Sequence, residues 1–310
     1  MFSIKSTHRL VLALVVGSIA RLATAADVSV SEEELLLGDN RMEDLQYKVE
    51  LDEAGKPLRL GAIRRVYVIG PVDAPPVILL HELPGLRDGD IDLGVRLGRT
   101  FRVWVPLLFG VPNQGNTGTS PGKEQACDSG LFECHSTRAS HPILDDLRTL
   151  VKRVCTAKDC AIIGMCLTGS FPLSLIHDGR VVALVLAQPS LPFPRWWKPF
   201  TFFRRGIDIS ETQTAAAMKV ASEKQASVFM IPFHGDPLSS HRSFRELQQR
   251  IRPTTNISLT CQEEHGHFLD HSSLIHDKDH PEESDQRLQT LTAFLDGRLR
   301  LPPPPKPGSC

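Results

Sequence analysis

The sequence predicts a doubly wound α/β domain, a mostly parallel sheet with helices on both faces, and three observations predict it. Short apolar, β-branched runs alternate with amphipathic stretches from about residue 60 onward, the order of successive βαβ units. Several runs are apolar throughout, as strands covered on both faces must be. Chemistry-bearing residues follow several of these runs directly, at the carboxyl ends where open α/β sheets place their sites.

The predicted strands are Arg65–Ile69, Val77–His81, Phe101–Pro106, Ala161–Met165, Val181–Gln188, Ser227–Phe233 and Ile257–Gln262. Helical periodicity is clearest over Pro142–Val154, where Leu144, Leu147, Leu150 and Val151 share a face, and Ser243–Ile251 and Asp285–Leu295 read the same way. Together these elements make one domain over residues 61–300, about the upper limit for a single core. Residues 26–60 read as an acidic extension, a helix-turn followed by a β-hairpin covering the sheet edge. The Gly/Asn/Ser/Thr/Pro-rich stretch 108–141 reads as a long loop forming a binding rim or lid. Residues 190–205 set Trp196, Trp197, Phe200, Phe202 and Phe203 among basic groups, which reads as aromatic packing over the sheet, a pocket cap or a membrane-surface contact. The Pro-rich tail 301–310 is expected to be extended and disordered.

Hydrophobic residues make up 41% and charged residues 23% of the chain, which fits a globular protein rather than a disordered or multi-span one. Lys and Arg number 35 against 36 Asp and Glu, so no global field exists to hold nucleic acid or an anionic membrane. Residues 1–25 place Lys5 and Arg9 before an apolar run, Leu10 to Ala20, and then Ala23-Thr24-Ala25, the order of a signal peptide. That run is about half the ~20 residues a membrane span needs, so export to the periplasm or cell exterior is expected without a stable anchor, with an amphipathic transit peptide, favoured by the lack of acidic residues, as the alternative. Seven cysteines then suggest disulfides plus at least one unpaired thiol, with Cys127–Cys134 and Cys155–Cys160 the locally plausible pairs.

Ala161-Ile-Ile-Gly-Met-Cys166-Leu-Thr-Gly-Ser170 is a buried strand running into a small-residue turn and then a helix. This is the pattern of a nucleophile elbow with Cys in the usual place of Ser. Such a turn holds the thiol at the sheet's carboxyl edge, near a helix N-terminus that favours the thiolate. Two later strands end in Gly235-Asp236 and Gly266-His267. Nucleophile, acid, histidine is the chain order of an α/β-hydrolase triad, so Cys166, Asp236 and His267 are the candidate catalytic residues. His265 is close enough to His267 to compete for the role of base.

Val77-Ile-Leu-Leu-His-Glu82-Leu-Pro-Gly-Leu86 resembles the His-Glu-x-x-Gly-Leu strand end of the dienelactone hydrolase family, whose elbow is likewise Gly-x-Cys-x-x-Gly. The resemblance covers roughly residues 60–298. It implies the α/β-hydrolase fold, no cofactor, no metal, and cleavage of an ester or lactone bond of a small molecule. It implies Cys166 as nucleophile, His267 as base, Asp236 as its orienting acid, and Glu82 as a carboxylate that contacts the resting thiol and helps deprotonate it. It also implies an oxyanion hole from the backbone N–H groups of Leu83 and Leu167.

The family's substrate-binding arginine four residues after the histidine is His271 here, and the helix containing Arg148 is a candidate source for a second arginine. Two other classes stay open. One is an exported binding protein that kept the fold without the activity. The other is a metal-dependent hydrolase built on the His265–His280 cluster with Asp270, Asp277 and Asp279. His81-Glu82 is not a helical zinc motif, because Pro84 forbids a helix interior there.

Overall fold

Runs such as Pro76–Leu80, Cys160–Met165 and Ser227–Ile231 are buried at every position, so each must be covered on both faces. In the computed structural model the described residues are 66–83, 85–109, 142–189, 211–234, 239, 241–251, 258–261, 264–265, 274–275 and 280–300. The signal peptide, the 26–60 extension, residues 110–141, the 190–205 segment, the tail, Cys127, Cys134, Asp236, His267 and His271 lie outside the described residues.

The strands are β1 (Val66–Ile69), β2 (Pro76–Leu80), β3 (Arg102–Pro106), β4 (Cys160–Met165), β5 (Val181–Ala187), β6 (Ser227–Ile231), β7 (Phe233–His234), β8 (Ser258–Cys261) and β9 (Glu264–His265). Among the described residues seven of them form one sheet in the order β1-β3-β2-β4-β5-β6-β8, and β7 pairs with β9. Only β1 runs antiparallel to its neighbour in the main sheet. From β2 the chain moves outward to β3 and then returns to β4 on the other side of β2. The switch point, where open α/β sheets open a crevice, therefore lies between the carboxyl ends of β2 and β4.

The helices are α1 (Asp88–Gly98), α2 (Pro142–Val154), α3 (Phe171–Leu175), α4 (Glu211–Glu223), α5 (His241–Ile251) and α6 (Pro281–Leu299). Strand residues alternate between two cores, as the two-residue period of a strand requires. One core packs Ile78, Leu80, Ile162, Leu184, Leu186 and Met230 against α2 to α5. The other packs Leu79, Ile163, Val185 and Phe229 against Leu93 and Leu97 of α1 and Leu291 and Leu295 of α6. At roughly 1.5–3 kcal/mol for each fully buried aliphatic side chain, these two layers supply the main drive to fold.

Two helices, α1 and α4, were not expected from periodicity, and the segment after Cys166 differs from expectation. A 3-10 turn, Cys166–Thr168, comes first, and α3 is only five residues long. Pro172 sits in the first turn of α3, where its missing N–H breaks no helical bond. So short a helix contributes little dipole, which removes most of the expected helix-terminus support for a thiolate. The Cys155–Cys160 disulfide is present, with Cα atoms 5.5 Å apart, closing the link from α2 to β4. No helix among the described residues is long and apolar enough to cross a membrane.

Candidate active site

β4 delivers Cys166 to the carboxyl edge in left-handed backbone, φ +49°. A non-glycine residue rarely adopts this conformation, which costs ~1–3 kcal/mol and persists only where the surroundings impose it. The surroundings are tight. A Cβ on Gly164 would lie 2.2 Å from the Thr168 carbonyl oxygen, and one on Gly169 would lie 2.6 Å from Pro189 Cα. Thr168 is fully buried; its Oγ1 accepts the Met165 N–H at 3.0 Å and lies 2.9 Å from the Met165 carbonyl and 3.3 Å from those of Leu80 and His81. The threonine thus ties the elbow to the end of β2. The Cys166 residue is 5% exposed, and its thiol is free, unlike Cys155 and Cys160.

The last β2–β4 pair is Leu80 with Gly164, and two residues further each chain reaches Glu82 and Cys166. The switch point therefore brings the predicted carboxylate and the predicted nucleophile to neighbouring strand ends, with Leu83 and Leu167 next in each chain. His81, between the strand and Glu82, is fully buried. Its Nε2 accepts the Leu108 N–H at 2.9 Å, so Nδ1 carries the proton and donates to the Glu82 carbonyl at 3.0 Å. Gly85 N–H donates to the same carbonyl at 3.1 Å, closing a turn in which Gly85 adopts φ +150°. With both ring nitrogens engaged, His81 serves to fix this turn, which accounts for the His-Glu pair without a metal.

Glu82 is 1% exposed, and its Oε1 accepts a hydrogen bond from Arg87 Nη2. Arg87 N–H in turn donates to Asp90 Oδ2 at 2.8 Å, and Asp90 is fully buried in the first turn of α1. Burial, and next the Glu82 charge, push the Asp90 carboxyl up to about 7, against the opposing pull of Arg87. Sequence reasoning missed both residues. The available signal was an arginine five positions past a buried glutamate, with an acidic residue at the third position of the following helix. Arg148, by contrast, pairs with Asp145 at 2.7 Å and Asp178 at 3.7 Å on the amino side of β5, so it is no arginine of this site.

Asp236 and His267 lie outside the described residues, and the structure describes only their flanks. β7 and β9 run parallel with His234 opposite His265. Asp236 follows His234 by two residues, and His267 follows His265 by two. Beyond Asp236, the buried Ser239 donates to the Pro189 carbonyl at 2.9 Å. Beyond His267, Leu274 joins the core, and Ile275 packs so closely on Gly89 that a Cβ there would lie 2.6 Å from its Cγ2.

No protein-family model matches this chain, and no curated protein sequence matches it. Solved structures do. A putative dienelactone hydrolase from Klebsiella pneumoniae subsp. pneumoniae MGH 78578 aligns with a TM-score of 0.50 at 16% identity, covering 76% of this chain and 95% of that one. The dienelactone hydrolase-like promiscuous phosphotriesterase P91 from metagenomic libraries aligns at 0.47 and 15% identity, covering 75% and 92%. The strand order, the helices on both faces, the left-handed residue ending β4 and the Klebsiella likeness together give this chain the α/β-hydrolase fold.

Proposed function

We propose that the chain is a dienelactone hydrolase-like enzyme that cleaves an ester or lactone bond of a small molecule, with Cys166 as nucleophile, His267 as base and Asp236 as its orienting acid. The observation that carries this reading is the left-handed Cys166 at the end of β4, two residues past the last β2–β4 pair, as Glu82 is on the neighbouring strand. A free thiol held in strained backbone at that edge fits attack on a carbonyl better than it fits packing.

In this reading the Cys166 Sγ attacks the carbonyl carbon as thiolate, and His267 takes the thiol proton. Charge moves to the carbonyl oxygen, where the N–H groups of Leu83 and Leu167 receive it, each such donor being worth ~3–4 kcal/mol. Collapse breaks the ester C–O bond, His267 returns its proton to the leaving alkoxide, and an acyl-thioester remains. Water activated by His267 then releases the acid and restores the thiol. Glu82 assists removal of the thiol proton, and Arg87 holds that carboxylate between turnovers. The signal-peptide pattern read in residues 1–25 and the buried Cys155–Cys160 disulfide both fit export to an oxidising compartment.

Hydrolysis of short-chain p-nitrophenyl esters and simple lactones by the purified chain tests the reading, with Cys166→Ala, His267→Ala and His265→Ala beside wild type. The reading expects activity lost in the first two and kept in the third. Full activity in Cys166→Ala would overturn it, and no wild-type turnover on any ester would favour a binding protein with a hydrolase fold.

A further inference from the structure

The short segment leaving β5 joins the elbow to the chain that carries Asp236. Gln188 lies one residue beyond the last β4–β5 pair, Met165 with Ala187, so it neighbours Cys166 across the sheet. The two share an unusual conformation: Cys166 has φ +49° and Gln188 φ +32°, both left-handed without being glycine. Gln188 is fully buried, and its N–H donates to the Ile231 carbonyl at the end of β6 at 2.9 Å. Pro189 follows and is pressed against the elbow, since a Cβ on Gly169 would lie 2.6 Å from its Cα. The Pro189 carbonyl accepts the hydroxyl of Ser239 at 2.9 Å, and Ser239 is only 4% exposed.

Ser239 stands three residues after Asp236, and β7 ends two residues before it. The described residues on either side of the acid are therefore attached, by strand pairing to the histidine chain before it and by a side-chain bond to the back of the elbow after it. We propose that Ser239 is a positioning residue whose hydroxyl, through Pro189, holds the Asp236 chain in register with the Cys166 elbow. The proposal rests on the roles given above to Cys166 and Asp236. Held in place, Asp236 stabilises the charged form of His267 and through it the Cys166 thiolate. With the hydroxyl gone, the half-buried Pro189 carbonyl loses this donor and the acid chain loses its attachment to the back of the elbow.

The test reads the thiol directly and needs no substrate. The rate at which iodoacetamide labels Cys166 is followed by peptide mass spectrometry against pH in the full chain, its Ser239→Ala and Ser239→Thr variants, and Asp236→Asn. Unfolding temperature and hydrolysis of p-nitrophenyl acetate are measured beside it. His81, Glu82, Arg87 and Asp90, described titratable groups on the β2 side, are common to all variants. Ser239→Ala is expected to move the labelling midpoint upward, in the direction of Asp236→Asn but less far. It should lower kcat about five- to tenfold with KM within about twofold, the size of one lost buried hydrogen bond. Ser239→Thr, which keeps the hydroxyl, restores the wild-type midpoint. Should Ser239→Ala not fold, Ser239→Val against Ser239→Thr makes the same comparison at matched shape. A midpoint that moves in Asp236→Asn but not in Ser239→Ala overturns the role of Ser239 alone. One that moves in neither overturns this proposal together with the role of Asp236.

Discussion

At the amino edge of the sheet, covalent and cationic groups close turns. The Cys155–Cys160 bridge sits beside a mutual pair of bonds, Arg180 N–H to Cys155 O at 2.7 Å and Cys160 N–H to Arg180 O at 3.0 Å. Lys224 donates to the carbonyls of Ile176 and Gly179, Arg102 to that of Gly70, and Arg298 to that of Gln225. At the carboxyl edge the groups are of another kind: two buried carboxylates, Glu82 and Asp90, and two left-handed non-glycine residues, Cys166 and Gln188. The amino edge also has a left-handed non-glycine residue, Gln225 at φ +52°, whose carbonyl Arg298 holds, so what sets the carboxyl edge apart is buried carboxylates close to such residues. Such features persist only where a rigid frame imposes them, and they cluster where proteins do chemistry.

That contrast can be broken or sharpened by substitutions of decreasing size. The largest effect is expected for Gly164→Ala, whose new Cβ would stand 2.2 Å from the Thr168 carbonyl oxygen. Because that neighbour is backbone, the cost should reach about 3 kcal/mol or more in denaturant unfolding. A cost near zero would mean the elbow is loose and its strain not real.

Asp90→Asn acts on buried charge. The Asp90 carboxyl rises on folding from 3.8 to about 7, so between those values the unfolded chain has released a proton that the folded chain retains. Stability from this group therefore falls as pH rises from about 4 to 7 and is flat above. The amide variant, which can still accept the Arg87 N–H, should remove that fall and gain roughly 2–4 kcal/mol at pH 8. An unchanged pH profile in chemical denaturation would refute the buried charge.

Joint replacement of Cys155 and Cys160 by Ala, at the amino edge, should cost about 2 kcal/mol, as expected for so short a loop. Hydrolysis should stay within about twofold of wild type, since the bridge is at the other end of β4. A large loss of activity at constant fold would show that the two edges are coupled. The smallest effect is expected for Gly297→Ala in α6, where a Cβ meets nothing within 4 Å. It should raise stability by about 0.5–1 kcal/mol, read as a small rise in unfolding temperature.

The sheet was legible because its strands are buried on both faces, and all seven strands of the main sheet lie within two residues of their expected bounds. α2 was legible because large leucines mark its face. α4 was not, because Ala217 and Ala221 do much of its packing and small residues leave a faint period. α1 carries two internal glycines and three aspartates in eleven residues and reads as a loop. At the site, Cys166 and Glu82 were legible from local motifs. Arg87 and Asp90 were not, because their importance comes from the company of a buried Glu82. Gln188 and Ser239 bond to residues far along the chain, Ile231 and Pro189, which a pattern along the chain does not reveal.

A cysteine nucleophile at Cys166 must pass through a covalent acyl intermediate. The most direct measurement is mass spectrometry of the full chain, acid-quenched within milliseconds of mixing with excess p-nitrophenyl butyrate, followed by peptide mapping. The account predicts a mass increase of one butyryl group, located on Cys166 and absent from Cys166→Ala. Turnover without that adduct, with hydrolysis intact in Cys166→Ala, would contradict it.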